Sequence, residues 1–338
     1  VFLRIFLLSA ASEGLYLLLA AESRVPPGES PLAAWYGPVR FEETVTFLSI
    51  WAALFVAYAI AIRSVQGKSG RTLVLAIFLT SALFRVTLLA KGNFSRDVPE
   101  AFLHGASPLR AAAAVKPGYE AFGAIAFDLA GLAITPALLR AASLPTGLAI
   151  VYGWSPLLVK EGAESARLET IPLFFLLLAS LLRQKKRPGA SAVAYGASLA
   201  GPPFFWATIP LAARALGVRV ALSLVVGAIA WAPLAASRSL TDLLRWPPEN
   251  FIGGSLVPAL ATLGRLFVTR NPMVPLWIAG GAFFLVVVAR TFKLRPDGAN
   301  LPREALVVLG CFLFLSPQVL PWALVPIAGL APYSANPG

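Results

Sequence analysis

Uninterrupted apolar runs of membrane-spanning length leave this chain few folds to choose from. Stretches 45–62 and 220–236 carry no charge, and 72–90 carries one, Arg85. A helix needs about 20 predominantly apolar residues to cross a hydrocarbon core of about 30 Å. These stretches meet that requirement repeatedly. The block Leu173-Phe174-Phe175-Leu176-Leu177-Leu178 does not alternate as a barrel strand of about 10 residues would.

Composition agrees. Of 338 residues, 58% are hydrophobic and 13% charged, against about a quarter charged in ordinary soluble domains. Mean hydropathy is +0.76. The expected fold is therefore all-α: a polytopic transmembrane helical bundle forming one integral-membrane domain over 1–338. About ten spans are expected, at 1–21, 45–62, 72–90, 119–139, 144–159, 171–182, 220–236, 272–289, 304–316 and 321–335. Segment 190–213 is interrupted by Gly201-Pro202-Pro203. Proline removes a helix donor and clashes with the preceding turn, so this segment reads as a broken or re-entrant pair of half-helices. Glu13 lies inside the first apolar run and no small-residue cleavage site follows it cleanly, so that run reads as a retained span rather than a signal peptide.

One cysteine, Cys311, excludes an internal disulfide and a Cys-cluster metal site. One histidine, His104, disfavours bis-histidine haem and His-rich metal centres. The net charge of +12 follows from topology. Alternating spans put 63–71, 140–143, 183–189, 214–219 and 290–303 on one side. Those 40 residues hold 14 of the 28 Lys/Arg. The opposite connections (22–44, 91–118, 160–170, 237–271 and 317–320) spread 12 over 101 residues and hold 11 of the 16 acids. The positive-inside rule makes the short basic side cytoplasmic, and a nucleic-acid role is not expected. No GxxxxGK[ST] loop appears, which disfavours an ATP-driven machine.

Inside the spans, Glu13 and Asp128 are near mid-membrane. A charge near mid-membrane costs roughly 2.5–3.5 kcal/mol on insertion scales, so each is expected to face protein or water. Asp128 is expected to pair with Arg85.

Four segments on the acid-rich side carry candidate chemistry. In 91–118, Ser95-Arg96-Asp97 and Glu100 precede His104. Asp97 can act as a general base or hold a divalent metal, and Arg96 can bind phosphate. The same residues also read as a solvated loop turning at Pro99. In 152–169, Lys160, Glu164 and Arg167 recur at i, i+4, i+7 on one helical face. There Lys160 and Arg167 would clamp a lipid phosphate, or local ion pairs would hold an exposed helix–turn–helix. The third segment, Arg245 to Ser255, suits glycan or lipid packing or interfacial tryptophan anchoring. The fourth, Ser316-Pro317 to Pro321-Trp322, makes a rigid turn.

In order and spacing these segments resemble the integral-membrane glycosyltransferases of the GT-C class that use polyprenyl-phosphate sugars, most nearly the bacterial mannosyltransferase-like branch. The likeness runs over about 70–325 and rests on Phe84-Arg85, Ser95-Arg96-Asp97, Gly105-Ala106-Ser107-Pro108-Leu109, Trp154-Ser155-Pro156-Leu157, Lys160-Glu161, Ala166-Arg167-Leu168-Glu169, Asn250-Phe251 and Ser316-Pro317 to Pro321-Trp322.

The resemblance implies a bacterial inner-membrane protein with its working face outside the cytoplasm. It would move a hexose, plausibly mannose, from a polyprenyl-phosphate donor to a lipid or glycan acceptor. Asp97 takes the catalytic role or positions a divalent cation. Arg96, Lys160 and Arg167 neutralise the donor phosphate, and Glu169 contacts sugar. Glu100 and Glu161 complete the substrate-binding candidates. The first acid of the family's Asp pair is Arg96 here, and its Gly-His-x-Asp site is Ala166-Arg167-Leu168-Glu169. These departures motivate a second expectation, a non-catalytic structural subunit of a larger membrane assembly. A lipid-linked substrate transporter or flippase is a third.

Overall fold

The apolar runs fold as helices because inside a membrane only a helix satisfies every backbone donor and acceptor within one segment. A computed structural model describes residues 1–22, 41–90, 119–164, 168–237, 273–295, 297–315 and 321–335, and among them there is no strand. Helices α1 (Phe2–Glu22), α2 (Phe41–Val65), α3 (Arg71–Ala90) and α4 (Tyr119–Ala141) come first. Two short helices follow, α5 (Ala149–Gly153) and α6 (Pro156–Val159), then a π-helical turn, Lys160–Glu164. Next come α7 (Thr170–Gln184), α8 (Pro188–Ser198), α9 (Ile209–Leu216) and α10 (Val220–Ser237). The series closes with α11 (Met273–Lys293), α12 (Leu301–Leu315) and α13 (Val325–Leu330).

Five described stretches are long and apolar enough to cross a membrane: Phe2–Leu19, Val45–Val65, Arg71–Leu89, Phe122–Ala141 and Phe204–Ala232. In the first three, most residues lie on the surface, where Phe6, Val56 and Leu79 are more than half exposed. That inside-out pattern suits a lipid solvent. Helix α4 is the most enclosed of the five.

The fifth stretch is not one straight helix. Helix α8 rises only 11 residues, about 16 Å, before the turn at Gly201-Pro202. The return begins as a 3-10 helix, Pro203–Thr208, and continues as α9. Tyr195 and Thr208 share a hydrogen bond of 2.7 Å across the hairpin, and the Trp206 indole donates to the Leu199 carbonyl at 3.1 Å. Gly217, at φ +59°, then reverses the chain into α10. Helix α10 runs parallel to α8, since Ser223 Oγ donates to the Ala192 carbonyl and Gly227 packs on Leu199. Of this stretch α10 alone is a long continuous helix, and α8 and α9 form the broken pair of half-helices expected over 190–213 from Gly201-Pro202-Pro203.

The α8–α10 seam depends on Gly196. A Cβ there would stand 2.6 Å from Val226 Cβ and 2.7 Å from the Ser223 carbonyl oxygen. Gly196→Ala should therefore push α10 away and lower stability by about 1–3 kcal/mol. An unchanged thermal unfolding midpoint in detergent would rule this out.

Segment 144–159 differs from the single span expected of it. The helix stops at Trp154, Ser155 caps a new one by accepting from the Leu158 amide, and Pro156 occupies its first turn. Proline is tolerated there because the first-turn amides have no intrahelical acceptor to lose. The segment is enclosed along nearly its whole length. Tyr58 Oη donates to the Val151 carbonyl at 2.9 Å and the Trp154 indole to Thr80 Oγ1 at 2.9 Å, fastening it to α2 and α3.

The connections assigned to the basic side meet one another or the start of the segment 144–159. The Gly147 amide donates to the Lys68 carbonyl at 3.0 Å, and the Thr146 amide to Ser69 Oγ at 3.1 Å. Arg183 Nε donates to the Ala215 carbonyl at 2.7 Å, and Arg214 Nε to the Leu294 carbonyl at 3.2 Å. Thr170 Oγ1 donates to the Ala124 carbonyl at 3.1 Å, setting α7 level with and parallel to α4. Both interlocked groups therefore lie at one end of the bundle, the basic end.

Candidate functional site

A charged centre is buried where the two apolar cores of the bundle meet. One core gathers α1, α2 and α3 with Ile150, Trp154 and Val159. The other gathers α4, α7, the hairpin and α12. Arg85 on α3 and Asp128 on α4 face each other across the seam, both fully buried. Arg85 Nε donates to Asp128 Oδ2. Arg85 Nη1 donates to the Ser81 carbonyl at 3.0 Å and the Gly153 carbonyl at 2.9 Å. Three of the five guanidinium donors are thereby used, and the α5 terminus is tied to the pair. Arg85 is thus a clamp on protein groups rather than a free phosphate ligand.

The pair satisfies the expectation set by two charges in apolar spans. Removing ions from water costs several kcal/mol each, and mutual attraction offsets this only with good geometry and further hydrogen bonds. The depth is moderate. Arg85 lies five residues before the end of α3 and Asp128 nine after the start of α4, about 8 and 14 Å along the axes. Glu13 is also held, accepting from Thr87 Oγ1 half a turn above Arg85.

Aromatic side chains wall the centre. The Phe84 ring packs on Tyr16 at 5.1 Å and edge-on to Trp154 at 5.3 Å. The buried Tyr152 hydroxyl lies over Gly131, one turn from Asp128, where a Cβ would stand 2.7 Å from the oxygen. The sequence reading placed Tyr152 at the head of 152–169 and gave it no role. Its one signal was a glycine at 131, three residues beyond the buried acid.

The turn Lys160–Glu164 closes the centre toward the acid-rich end by packing between α3 and α4. Gly162 lies against the pair, where a Cβ would meet Asp128 Oδ2 at an ordinary contact distance of 3.4 Å. Lys160 Nζ donates to Glu161 Oε1 at 3.2 Å, with the side chains only 11% and 5% exposed. Lys160–Glu164 is a π-helical turn and not the α-helical turn on which the face shared by Lys160, Glu164 and Arg167 was expected, and Arg167 lies outside the described residues. Lys160 and Glu161 are likewise not on an exposed helix–turn–helix. Glu169 is 1% exposed and precedes Thr170, the residue pinned to α4.

The structure thus brings Lys160, Glu161 and Glu169 to the acid-rich ends of α3 and α4. Asp97, Arg96, Glu100 and Arg167 lie outside the described residues, as do His104, Asn250, Phe251, Ser316 and Pro317. Among the described residues no group of three or more His, Cys, Asp or Glu side chains is placed to hold a metal ion. The divalent cation expected at Asp97 falls outside them. The described part is all-helical with five stretches able to cross a membrane, which makes this a helical membrane protein. No protein-family model, no curated protein and no solved structure matches the chain.

Proposed function

We propose that this protein is a GT-C-like membrane glycosyltransferase of about ten spans in a bacterial inner membrane. It transfers a hexose, mannose by the resemblance, from a polyprenyl-phosphate donor to a lipid or glycan acceptor on the non-cytoplasmic face. The observation carrying this reading is the packing of Lys160–Glu164 between the two helices from whose ends, Ala90 and Tyr119, the segment 91–118 departs. Asp97 is seven residues past Ala90, within about 25 Å of chain. Two separate motif-bearing connections therefore share one end of one helix pair.

In this mechanism Asp97 takes the proton of the acceptor hydroxyl or positions a divalent cation. The acceptor oxygen bonds the anomeric carbon as the carbon–oxygen bond to phosphate breaks, and polyprenyl phosphate leaves with that electron pair. Arg96, Lys160 and Arg167 stabilise its charge, and Glu100, Glu161 and Glu169 bind sugar hydroxyls. Purified protein given labelled polyprenyl-phosphate hexose is expected to transfer label, and Asp97→Asn to abolish transfer. Undiminished transfer by the variant removes Asp97 from the mechanism.

A second reading is a non-catalytic subunit of a larger membrane assembly. It is favoured by the side chains at 160–169: Lys160 bonds its neighbour Glu161, and Glu169 is turned into protein. Stable co-purification with other membrane subunits, and no label transfer, would select it.

A further inference from the structure

Far from the charged centre, α11 and α12 leave an open groove between them of about 590 Å³. That is within the range of about 300–1,000 Å³ common for ligand sites. The helices are antiparallel, as Phe283 meets Phe312 edge to face at 5.5 Å and Arg290 reaches Glu304 at 3.6 Å. Between those two contacts the walls are apolar or small: Val286, Ala289, Gly310 and Cys311. Ala289 and Gly310 lack the side chains that would fill the space. The surrounding surface of α11 is apolar and exposed, with Phe284, Leu285 and Phe292 each about two thirds or more open. A membrane-spanning helix presents such a surface to lipid.

The groove is polar at one mouth only. Arg290 and Lys293 line it in the last turn of α11, at the basic end. Arg290 remains 32% exposed beside Glu304. Lys293 is exposed and makes no ion pair among the described residues. An apolar trough capped by two cations at the membrane surface complements an acyl chain attached to a phosphate. Basic pockets between helices on the cytoplasmic side suit anionic head groups.

We propose that this groove holds one acyl chain of an anionic phospholipid, with Arg290 and Lys293 on its phosphate. The site is independent of the glycosyltransferase reading, because none of the residues lining it belongs to the charged centre or to the candidate substrate site.

Cys311 is the chain's one cysteine and lies in the groove wall, so its alkylation by a small maleimide reports occupancy. In neutral detergent, phosphatidylglycerol should slow alkylation of the full chain at least fivefold. Equal phosphatidylcholine, or inorganic phosphate, should leave the rate unchanged. Each surface cation contributes about fivefold to retention. Lys293→Glu should therefore raise the phosphatidylglycerol needed for protection at least fivefold, and Arg290→Gln with Lys293→Glu should remove protection. Arg290→Gln strips the buried Glu304 of its partner, so if the double variant does not fold, Lys293→Glu at its exposed position decides. Equal protection by phosphatidylcholine, protection by inorganic phosphate, or full protection in Lys293→Glu would overturn the proposal.

Discussion

Replacing Arg85 with methionine should lower the stability of the folded bundle by about 3–5 kcal/mol, because it leaves the Asp128 carboxylate buried without its partner. The same loss is expected from Asp128→Leu, which strands the guanidinium. Both side chains are fully enclosed, so water cannot substitute. The double variant Arg85→Met with Asp128→Leu should recover most of the loss, since an apolar pair of similar volume removes both desolvation penalties. Recovery should stop short of complete. The Arg85 Nη1 bonds to the Ser81 and Gly153 carbonyls disappear with the side chain. Ser81 is interior to α3 and keeps the ordinary helix acceptor pattern, whereas Gly153 ends α5 and depends more on the clamp. Reversible unfolding in mixed micelles, followed through the chain's eight tryptophans, measures all three. Single variants as stable as the parent, or a double variant as unstable as either single, would contradict the buried-pair account.

Gly147→Ala should have the second-largest effect. A Cβ at 147 would stand 2.8 Å from the Lys68 carbonyl oxygen and 2.9 Å from that of Val65. Both are backbone atoms, which cannot swing aside as a side chain can. The new methyl must therefore separate 65–70 from 144–148. Separation costs the Gly147–Lys68 bond and the two Thr146 contacts to Ser69 and Gly70. A loss of about 1–3 kcal/mol is expected for overpacking of this kind. Local opening should rise about tenfold for each 1.4 kcal/mol. Lys68 and Arg71 flank the lock and are exposed. Trypsin in detergent should cut there at least several-fold faster in the variant. Cleavage at the parent rate would show that the connection yields elsewhere.

Much of the architecture was legible from charge and length. Arg85 and Asp128 stood out as lone charges in apolar runs, and mutual pairing was the low-cost solution for both. Gly201-Pro202-Pro203 marked the hairpin because a glycine followed by two prolines removes two consecutive helix donors, whereas the single Pro136 stays inside α4. The short basic connections meet at one end, in keeping with the alternation read from lysine and arginine density.

Other features left no such trace. The break at Trp154-Ser155 is marked only by the cap and first-turn pair Ser155-Pro156, inside a segment whose length reads as one span. The π turn at Lys160–Glu164 is invisible to i, i+4 counting, which assumes an α-helical period. Each basic-end interlock has a backbone amide or carbonyl on at least one side, a group that carries no residue-specific signal. Tyr152 reads as apolar filler until the fold brings its hydroxyl beside Asp128. Arg290 and Lys293 read only as sidedness signals, since the groove above them depends on what α12 places opposite. For the candidate site the division is sharper. Lys160, Glu161 and Glu169 were named from sequence, but their burial was not foreseen, because charged residues between two apolar runs look like a solvated loop.

The α8–α9 hairpin leaves the parity of the chain untouched. It enters and exits the bundle at the same end, so every later helix has the orientation it would have without those 29 residues, Pro188 to Leu216. Its two feet are bracketed by Arg187 on one side and Arg214 and Arg219 on the other, cations that resist transfer across the bilayer. The insertion is thus a wedge entered from one end of the bundle, adding interior mass without adding a full-length helix.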